Sequence, residues 1–342
     1  MADKGNDRTG DIFSWIEKEL DPKACTTEDL IYNDMESQSA YSLPVIYQPF
    51  DAAVRWHWSD RGSLYDFLYT TRGEGKRLLD FGPGDGWPSL LVAPFVKEVV
   101  GVDSSPKRVE TCIENARRLG ISNARFVSYR SGSRLPFEDD SFDGIMAASS
   151  IEQTPDPKQT LSELYRVLKP GGRIRIFYET LGEYKGGLEY DIWIFGLAGD
   201  RSKLILYKRD PEHEYALQYG LTIAIPEKEL KEKLSVDGEV SFRHVTEHFL
   251  EGIKGIITSA QVCKTIHPSG RTLVSWLKEI GFKEVVATYS GSMAAARLFD
   301  SYAADDRPSD LESVDEAVRK VVKVVTELEA PIELDPMITG IK

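Results

Sequence analysis

Asp80, Gly82, Gly84, Gly86 and Asp103 are the residues whose types and spacing most clearly specify a chemistry. The run Leu78-Leu79-Asp80-Phe81-Gly82-Pro83-Gly84-Asp85-Gly86 is apolar until it breaks into three glycines at alternate positions, and a helix-like segment (Trp87 to Phe95) follows. Glycines there permit a tight turn and let backbone amides approach a ligand that a Cβ would hold off. The spacing Gly-x-Gly-x-Gly differs from the Gly-x-Gly-x-x-Gly of pyrophosphate-binding loops. It suits a nucleoside without phosphates, with S-adenosylmethionine the obvious candidate. Amides at the loop and the helix N-terminus can meet a ligand carboxylate, while loop carbonyls and Asp80 can accept from its ammonium. Asp103 closes Val99-Val100-Gly101-Val102-Asp103, roughly twenty residues past the loop, where an acid at a strand end can take both ribose hydroxyls.

The elements that must position these residues alternate from 76 to 180. Strands are expected at Lys76–Phe81, Glu98–Asp103, Ala124–Ser128, Phe142–Ala147 and Arg173–Tyr178, with helices at Pro88–Phe95, Pro106–Leu119 and Pro157–Leu168. Such alternation predicts a parallel sheet with right-handed crossovers. The pattern breaks over 183–268, where aromatic strand candidates (Tyr190–Phe195, Leu204–Tyr207, Tyr215–Ile225) surround a charged helix (Pro226–Leu234). It resumes with a helix over Arg271–Ile280 and strands near Val285–Tyr289 and Ala295–Phe299. The expected organisation is a helical and aromatic lid (1–72), with helices over Asp11–Leu20 and Ser59–Thr71, the latter capped by Ser59 or Asp60. A sheet core (73–182 and 269–300), an inserted α+β cap (183–268) and a C-terminal helix (Leu311–Leu328) with a tail (301–342) complete it.

Leu135-Pro136-Phe137-Glu138-Asp139-Asp140-Ser141-Phe142-Asp143 and Leu161-Ser162-Glu163-Leu164-Tyr165-Arg166-Val167-Leu168-Lys169-Pro170-Gly171-Gly172 decide between a nicotinamide and a sulfonium cofactor. With the glycine loop and Asp103, they resemble class I S-adenosylmethionine-dependent methyltransferases, in the small-molecule branch that includes quinone and sterol methyltransferases. The resemblance covers about residues 74–180, with weaker echoes at 271–299. It implies a Rossmann-like, doubly wound α/β sheet of seven strands whose last strand is antiparallel, a role compatible with Gly281–Phe299. It also implies that Asp80, Gly82, Pro83, Gly84 and Gly86 hold the methionine end, that Asp103 holds the ribose, and that Ser104 or Ser105 lies near the adenine. Ser131, beside Gly132, stands where the family usually has an acid for the adenine amino group, so this contact loses charge assistance. Ser149 ends the fourth strand at the pocket, and Gln153 stands where a His is common.

Methyl transfer from a sulfonium needs an acceptor held in line and, where the acceptor is protonated, a base. Candidate bases are His57 (between Trp56 and Trp58), Glu179 (after the fifth strand), His244 and His248. His244-Val245-Thr246-Glu247-His248 formally matches a zinc-peptidase pattern, but no third ligand is evident and no metal is expected. The chain has 342 residues, 41% of them hydrophobic, and a net charge of −13. That balance argues against nucleic acid as a partner, since neutralised phosphates supply most such affinity. Three scattered cysteines, a polar N-terminus and the lack of an apolar run of roughly 18 residues lead to the expectation of a cytoplasmic protein. A small, apolar or aromatic acceptor is expected from the aromatic lid and cap, and a homodimer through the cap is possible. Methylation of a protein or RNA is one rival, and would need a basic patch among Arg130, Arg134, Lys203, Lys208 and Arg209. A non-catalytic cofactor-binding or scaffold role is the other.

Overall fold

Leu78 and Leu79 turn to opposite faces of one strand, and each face meets its own layer of helices. The computed structural model describes residues 9–35, 50–178, 187–331 and 337–342. Its strands are β1 (Lys23–Ala24), β2 (Arg77–Phe81), β3 (Glu98–Asp103), β4 (Ala124–Ser128), β5 (Phe142–Ala148), β6 (Leu168–Phe177), β7 (Glu189–Leu197), β8 (Arg201–Asp210), β9 (Tyr215–Ile223), β10 (Ile257–Ile266), β11 (Lys283–Thr288) and β12 (Met337–Ile341). Its main helices are α1 (Thr9–Leu20), α2 (Arg55–Thr70), α3 (Pro106–Arg118), α4 (Pro157–Val167), α5 (Glu227–Leu234), α6 (Glu247–Ile253), α7 (Gly270–Ile280), α8 (Gly291–Ser301) and α9 (Leu311–Leu328). The chain forms two compact units, Met1–Tyr41 with Gly186–His267, and Ser42–Lys185 with Pro268–Lys342.

The second unit holds a seven-stranded sheet in the order β11-β12-β6-β5-β2-β3-β4. Strands β2 to β6 pair in parallel, while β12 runs antiparallel to both β6 and β11. Period-two alternation divides the side chains. Leu79, Val100, Ile145 and Ile338 pack with Leu161, Leu164, Leu273 and Leu277 of α4 and α7. Leu78, Val99, Met146 and Met337 pack with Trp58, Leu64 and Leu68 of α2, Ala295 of α8, and Val314, Val318 and Val322 of α9. Helices on both faces make the sheet doubly wound and Rossmann-like, as expected.

The antiparallel last strand is present, but it is not drawn from Gly281–Phe299. From that stretch β11 runs in the same direction as β6, and the reversed strand is β12, contributed by the tail. Ala295–Phe299 is helical, within α8, where Ser290 Oγ accepts the Met293 N–H at 3.1 Å and caps an alanine-rich segment of high helix propensity. Helix α2 begins at Arg55, so Ser59 and Asp60 lie inside it and do not cap it. It crosses α8 backbone to backbone. A Cβ on Gly62 would stand 2.2 Å from the Gly291 oxygen, and one on Gly291 would stand 2.5 Å from the Gly62 oxygen.

The first unit holds a five-stranded sheet in the order β1-β10-β9-β8-β7, antiparallel except for β1 on β10. One face packs Leu204, Leu206 and Leu221 against Ile16 of α1, Leu230 of α5 and Leu250 of α6. Tyr190 stacks on Phe242 at 4.9 Å, and Phe13 lies 5.4 Å from Tyr219. Several aromatics expected to meet an acceptor are therefore spent in the core of this unit.

Arg175 of β6 is fully buried and meets Asp66 of α2 through Nε to Oδ1 at 2.6 Å and Nη2 to Oδ2 at 2.8 Å. Its Nη1 donates to Thr288 Oγ1, to the Met337 carbonyl and to Thr339 Oγ1, while Gly291 N–H donates to Asp66 Oδ2. Removing one member of such a pair leaves a buried charge uncompensated. Asp66→Ala is expected to lower the unfolding free energy by about 3–5 kcal/mol in urea titrations. A loss under about 1 kcal/mol, the level of an exposed pair, would refute that role.

Candidate functional site

Four adjacent parallel strands, β5, β2, β3 and β4, deliver the candidate cofactor residues to one carboxyl edge of the sheet. The glycine loop follows β2, Ser104 follows β3, Ser131 and Gly132 follow β4, and Ser149 follows β5. This is the edge where open α/β sheets bind ligands. Gly82 hangs from β3, its N–H donating to the Val102 carbonyl at 2.9 Å, and the turn closes with Gly86 N–H on the Pro83 carbonyl at 2.8 Å. Gly82 has φ +72°, and a Cβ there would strike Ser150 Cβ at 2.4 Å. Ser150 Oγ in turn donates to the Phe81 carbonyl at 2.6 Å. Ser149 itself sits at φ +47°, a left-handed conformation that costs a non-glycine residue energy and often marks a functional turn.

Asp80 is fully buried at the end of β2. Its Oδ2 accepts from the Ser89 hydroxyl at 2.6 Å and from the Ser89 N–H at 3.2 Å, whereas Oδ1 is buried with no hydrogen-bond partner among the described residues. Burial, reinforced by nearby Asp103 and opposed by the Ser89 bonds, raises its carboxyl pKa to about 7. Asp103 ends β3 half-buried, with Oδ1 accepting the Ser105 N–H at 2.8 Å. Ser105 caps α3 by accepting the Arg108 N–H. Ser131 is half-buried and Gly132 exposed, at φ +74°.

Helix α3 braces the loop from one side, a feature the sequence reading missed. Cys112 Sγ donates to the Gly84 carbonyl at 3.2 Å, Asn115 Nδ2 donates to the Asp85 carbonyl at 2.7 Å, and Arg108 Nη1 lies 4.0 Å from where a Gly84 Cβ would stand. Burial and the surrounding Asp103, Asp80 and Asp85 push the Cys112 thiol far above its ordinary range, so it remains a donor. Burial also raises Asp85, against the pull of Arg108. The signal was available: polar side chains at i, i+4 and i+7 within the buried stripe of a helix.

Three carboxyl groups, Asp80, Asp85 and Asp103, gather here with Arg108 as the opposing charge. That surplus, with one buried carboxyl oxygen lacking a donor, fits a cationic nucleoside such as S-adenosylmethionine, whose sulfonium and ammonium are positive. An anionic pyrophosphate would meet the same carboxyls with repulsion.

The described candidate bases lie on separate elements, His57 in the second unit and His244 and His248 in the first. His57 lies in the first turn of α2, buried against Trp56 and Phe50, with Nδ1 accepting the Asp51 N–H at 2.9 Å. His248 is exposed and belongs to the other unit, and Glu179 lies outside the described residues, as do Tyr41 and Tyr47. His244 and His248 do not share a helix as the zinc-like pattern would require, because His244 ends a 3-10 turn and Thr246 caps α6. Three of the five basic residues named for a macromolecular groove have partners. Lys203 is buried on Asp34 and Gln261, Arg209 is buried beside Glu189 and His267, and Arg134 pairs with Asp139.

Residues 79–176 match the family described as methyltransferase domain. Over 97 residues the chain is 39% identical to an uncharacterized methyltransferase, YcgJ, of Bacillus subtilis, covering 28% of this chain and 38% of that protein. It is 34% identical over 118 residues to 27-O-demethylrifamycin SV methyltransferase of Amycolatopsis mediterranei, covering 34% and 43%. It is 38% identical over 102 residues to demethylmenaquinone methyltransferase of Clavibacter sepedonicus, covering 30% and 40%. The chain thus spans less than half the length of these curated relatives. Among solved structures, a S-adenosylmethionine-dependent methyltransferase from Clostridium acetobutylicum aligns at a TM-score of 0.44 and 14% identity, covering 83% of this chain and 89% of that one. No described helix is long and apolar enough to cross a membrane.

Asp80 generates a pH dependence with a defined sign. Its folded-state pKa (about 7) stands above the ordinary 3.8, so the folded protein holds this proton more tightly than the unfolded chain. The resulting stability is complete below the unfolded pKa and is lost as pH rises through the folded one. The unfolding free energy of the wild type, relative to Asp80→Asn, should therefore fall between about pH 4 and 7, by at most about 1.4 kcal/mol per pH unit. Parallel pH profiles for the two proteins in urea unfolding would show that Asp80 titrates normally.

Proposed function

We propose that this chain, which carries a methyltransferase domain at residues 79–176, transfers a methyl group from S-adenosylmethionine to a small organic acceptor. The observation that carries the proposal is the pairing of buried Asp80, with its unmatched Oδ1 beside the glycine loop, and Asp103 at the end of the neighbouring strand. Bound S-adenosylmethionine would supply an electrophilic methyl on a positively charged sulfur. Asp80 and the loop from Gly82 to Gly86, with Pro83, would hold the methionine end, and Asp103 the ribose. Ser104, Ser131 and Gly132 would border the adenine, with Ser149 at the neighbouring turn.

With the electrophile activated by its own charge, the protein's part is orientation, exclusion of water and removal of an acceptor proton where one exists. Two relatives' names identify small organic acceptors, a demethylrifamycin and a demethylmenaquinone, which supports the same class here. The burial and pairing of Lys203 and Arg209 favour it over an RNA or protein substrate. Trp193 is an exposed aromatic suited to an apolar or aromatic acceptor. His57, His248 and Glu179 stay candidates for the proton-accepting group.

Two measurements test this reading. Asp103→Ala should weaken binding of S-adenosylhomocysteine by about 1–3 kcal/mol, the scale of a lost charged hydrogen bond, in titration calorimetry; unchanged affinity would remove Asp103 from the ribose site. Methyl-labelled S-adenosylmethionine, incubated with the protein and an extract of the source organism, should label a small molecule detectable by mass spectrometry. Binding without any turnover to S-adenosylhomocysteine would favour a scaffold role.

A further inference from the structure

Cys25 and Cys263 are far apart in the sequence and side by side in the first unit. Strand β1 pairs in parallel with β10, Lys23 opposite Gln261 and Ala24 opposite Val262. The Cys25 N–H donates to the Val262 carbonyl at 2.9 Å. The ladder therefore holds to the next position in register, where Cys25 lies beside Cys263. Neighbouring strands stand about 4.8 Å apart, within the roughly 4.4–6.8 Å between Cα atoms that a disulfide spans.

Both side chains project from one face of the sheet. Cys263 packs with Leu30, Ile31, Phe195 and Ile205, and Cys25 lies against the same cluster. Each thiol leans toward the other's segment. Cys25 Sγ donates to the Val262 carbonyl at 3.7 Å, and Cys263 Sγ shares a hydrogen bond with Thr27 Oγ1 at 3.5 Å. Both are free thiols, and their access differs. Cys263 is 4% exposed, whereas Cys25 is half-buried and follows the edge strand of the sheet. Burial, and after it the neighbouring Cys263, push the Cys25 thiol up to about 11. Little of it is thiolate, the reactive form, at neutral pH.

We propose that a peroxide oxidises Cys25 and Cys263 to a disulfide, a modification that fastens the N-terminal segment of the first unit to β10. The half-buried Cys25 is the point of entry. Its thiolate attacks one peroxide oxygen and the O–O bond breaks, giving a sulfenic acid and a hydroxide that takes up the thiol proton. The Cys263 sulfur then attacks the Cys25 sulfur. The S–O bond breaks, and the hydroxyl leaves as water with the Cys263 proton. Two thiols become one disulfide, and one peroxide becomes two waters. The fastened segment straddles the sheet, with Ile16 of α1 packed on one face and Leu30 on the other. Strand β1 joins it to β10 over two residues, and a covalent tie beside them removes freedom that the unfolded chain otherwise has. None of this depends on S-adenosylmethionine.

The test treats the full chain with hydrogen peroxide, unfolds it in iodoacetamide and maps it by mass spectrometry without reduction. A peptide pair joining Cys25 to Cys263 is expected, from protein that runs as a monomer on a non-reducing gel, with Cys112 still alkylated. Dithiothreitol should restore both thiols. The rate of closure should rise about tenfold per pH unit between about pH 7 and 9, following the Cys25 thiolate fraction. The oxidised protein should unfold at a temperature at least about 4 °C higher than the reduced one. Cys263→Ser should stop at a Cys25 sulfenic acid that dimedone captures, and Cys25→Ser should leave Cys263 reduced; if the buried Cys263→Ser fails to fold, Cys25→Ser decides. Both cysteines remaining alkylated, a bond between two chains, or Cys25 passing to a sulfinic acid while Cys263 stays reduced would each overturn the disulfide. A flat pH profile would remove Cys25 as the point of entry, and an unchanged unfolding temperature would refute the fastening.

Discussion

The ion pair between Arg175 and Asp66 is the constraint on which the second unit depends. A guanidinium removed from water must find a full set of acceptors, and this one finds them on two neighbouring strands and a helix. Because Asp66 also receives the first amide of α8, the pair fixes the helical layer against the sheet at the point where β6, β12 and β11 lie side by side. Its gain over an apolar filling is small, since desolvation offsets most of the attraction. What it supplies is position: no shifted packing of α2 or β12 would satisfy the same charges.

Much of this fold was legible because alternation and glycine placement act locally. Leu78-Leu79, Val99-Val100 and Ile145-Met146 expose their two-faced character in the sequence itself, and Gly120 and Gly281 stop helices where expected. The misread elements are those decided by distant partners. Met-Ile-Thr-Gly-Ile at 337–341 is short and carries a glycine, so nothing local marks it as the antiparallel strand; Arg175 and the neighbours β6 and β11 do. Ala295–Phe299 is apolar enough for a strand, but it continues an alanine-rich segment that the Ser290 cap starts as a helix.

The gathering of the candidate cofactor residues at one sheet edge was legible for a related reason. Its residues are consecutive with strand ends, so spacing alone carries them to one edge. The brace from Arg108, Cys112 and Asn115 was hidden because those side chains look like an ordinary buried helix stripe until their carbonyl partners are known. Acceptor recognition was hidden more deeply. Tyr190 and Tyr219 looked like ligand-facing aromatics and turned out to pack in the core, while Arg209 and Lys203 looked like surface charges and turned out to be buried.

The place of β12 in the sheet has a consequence for biosynthesis. Met337 follows Arg175 by 162 residues, yet β12 occupies the slot between β6 and β11. On the ribosome, β6 and β11 are both made before the strand that joins them. Until it arrives, the nascent sheet ends at β6, β11 has no neighbour, and the Arg175 guanidinium lacks the Met337 and Thr339 oxygens. Completion of the sheet thus waits for β12, and the long stretch of chain between β6 and its antiparallel neighbour must first fold around the gap.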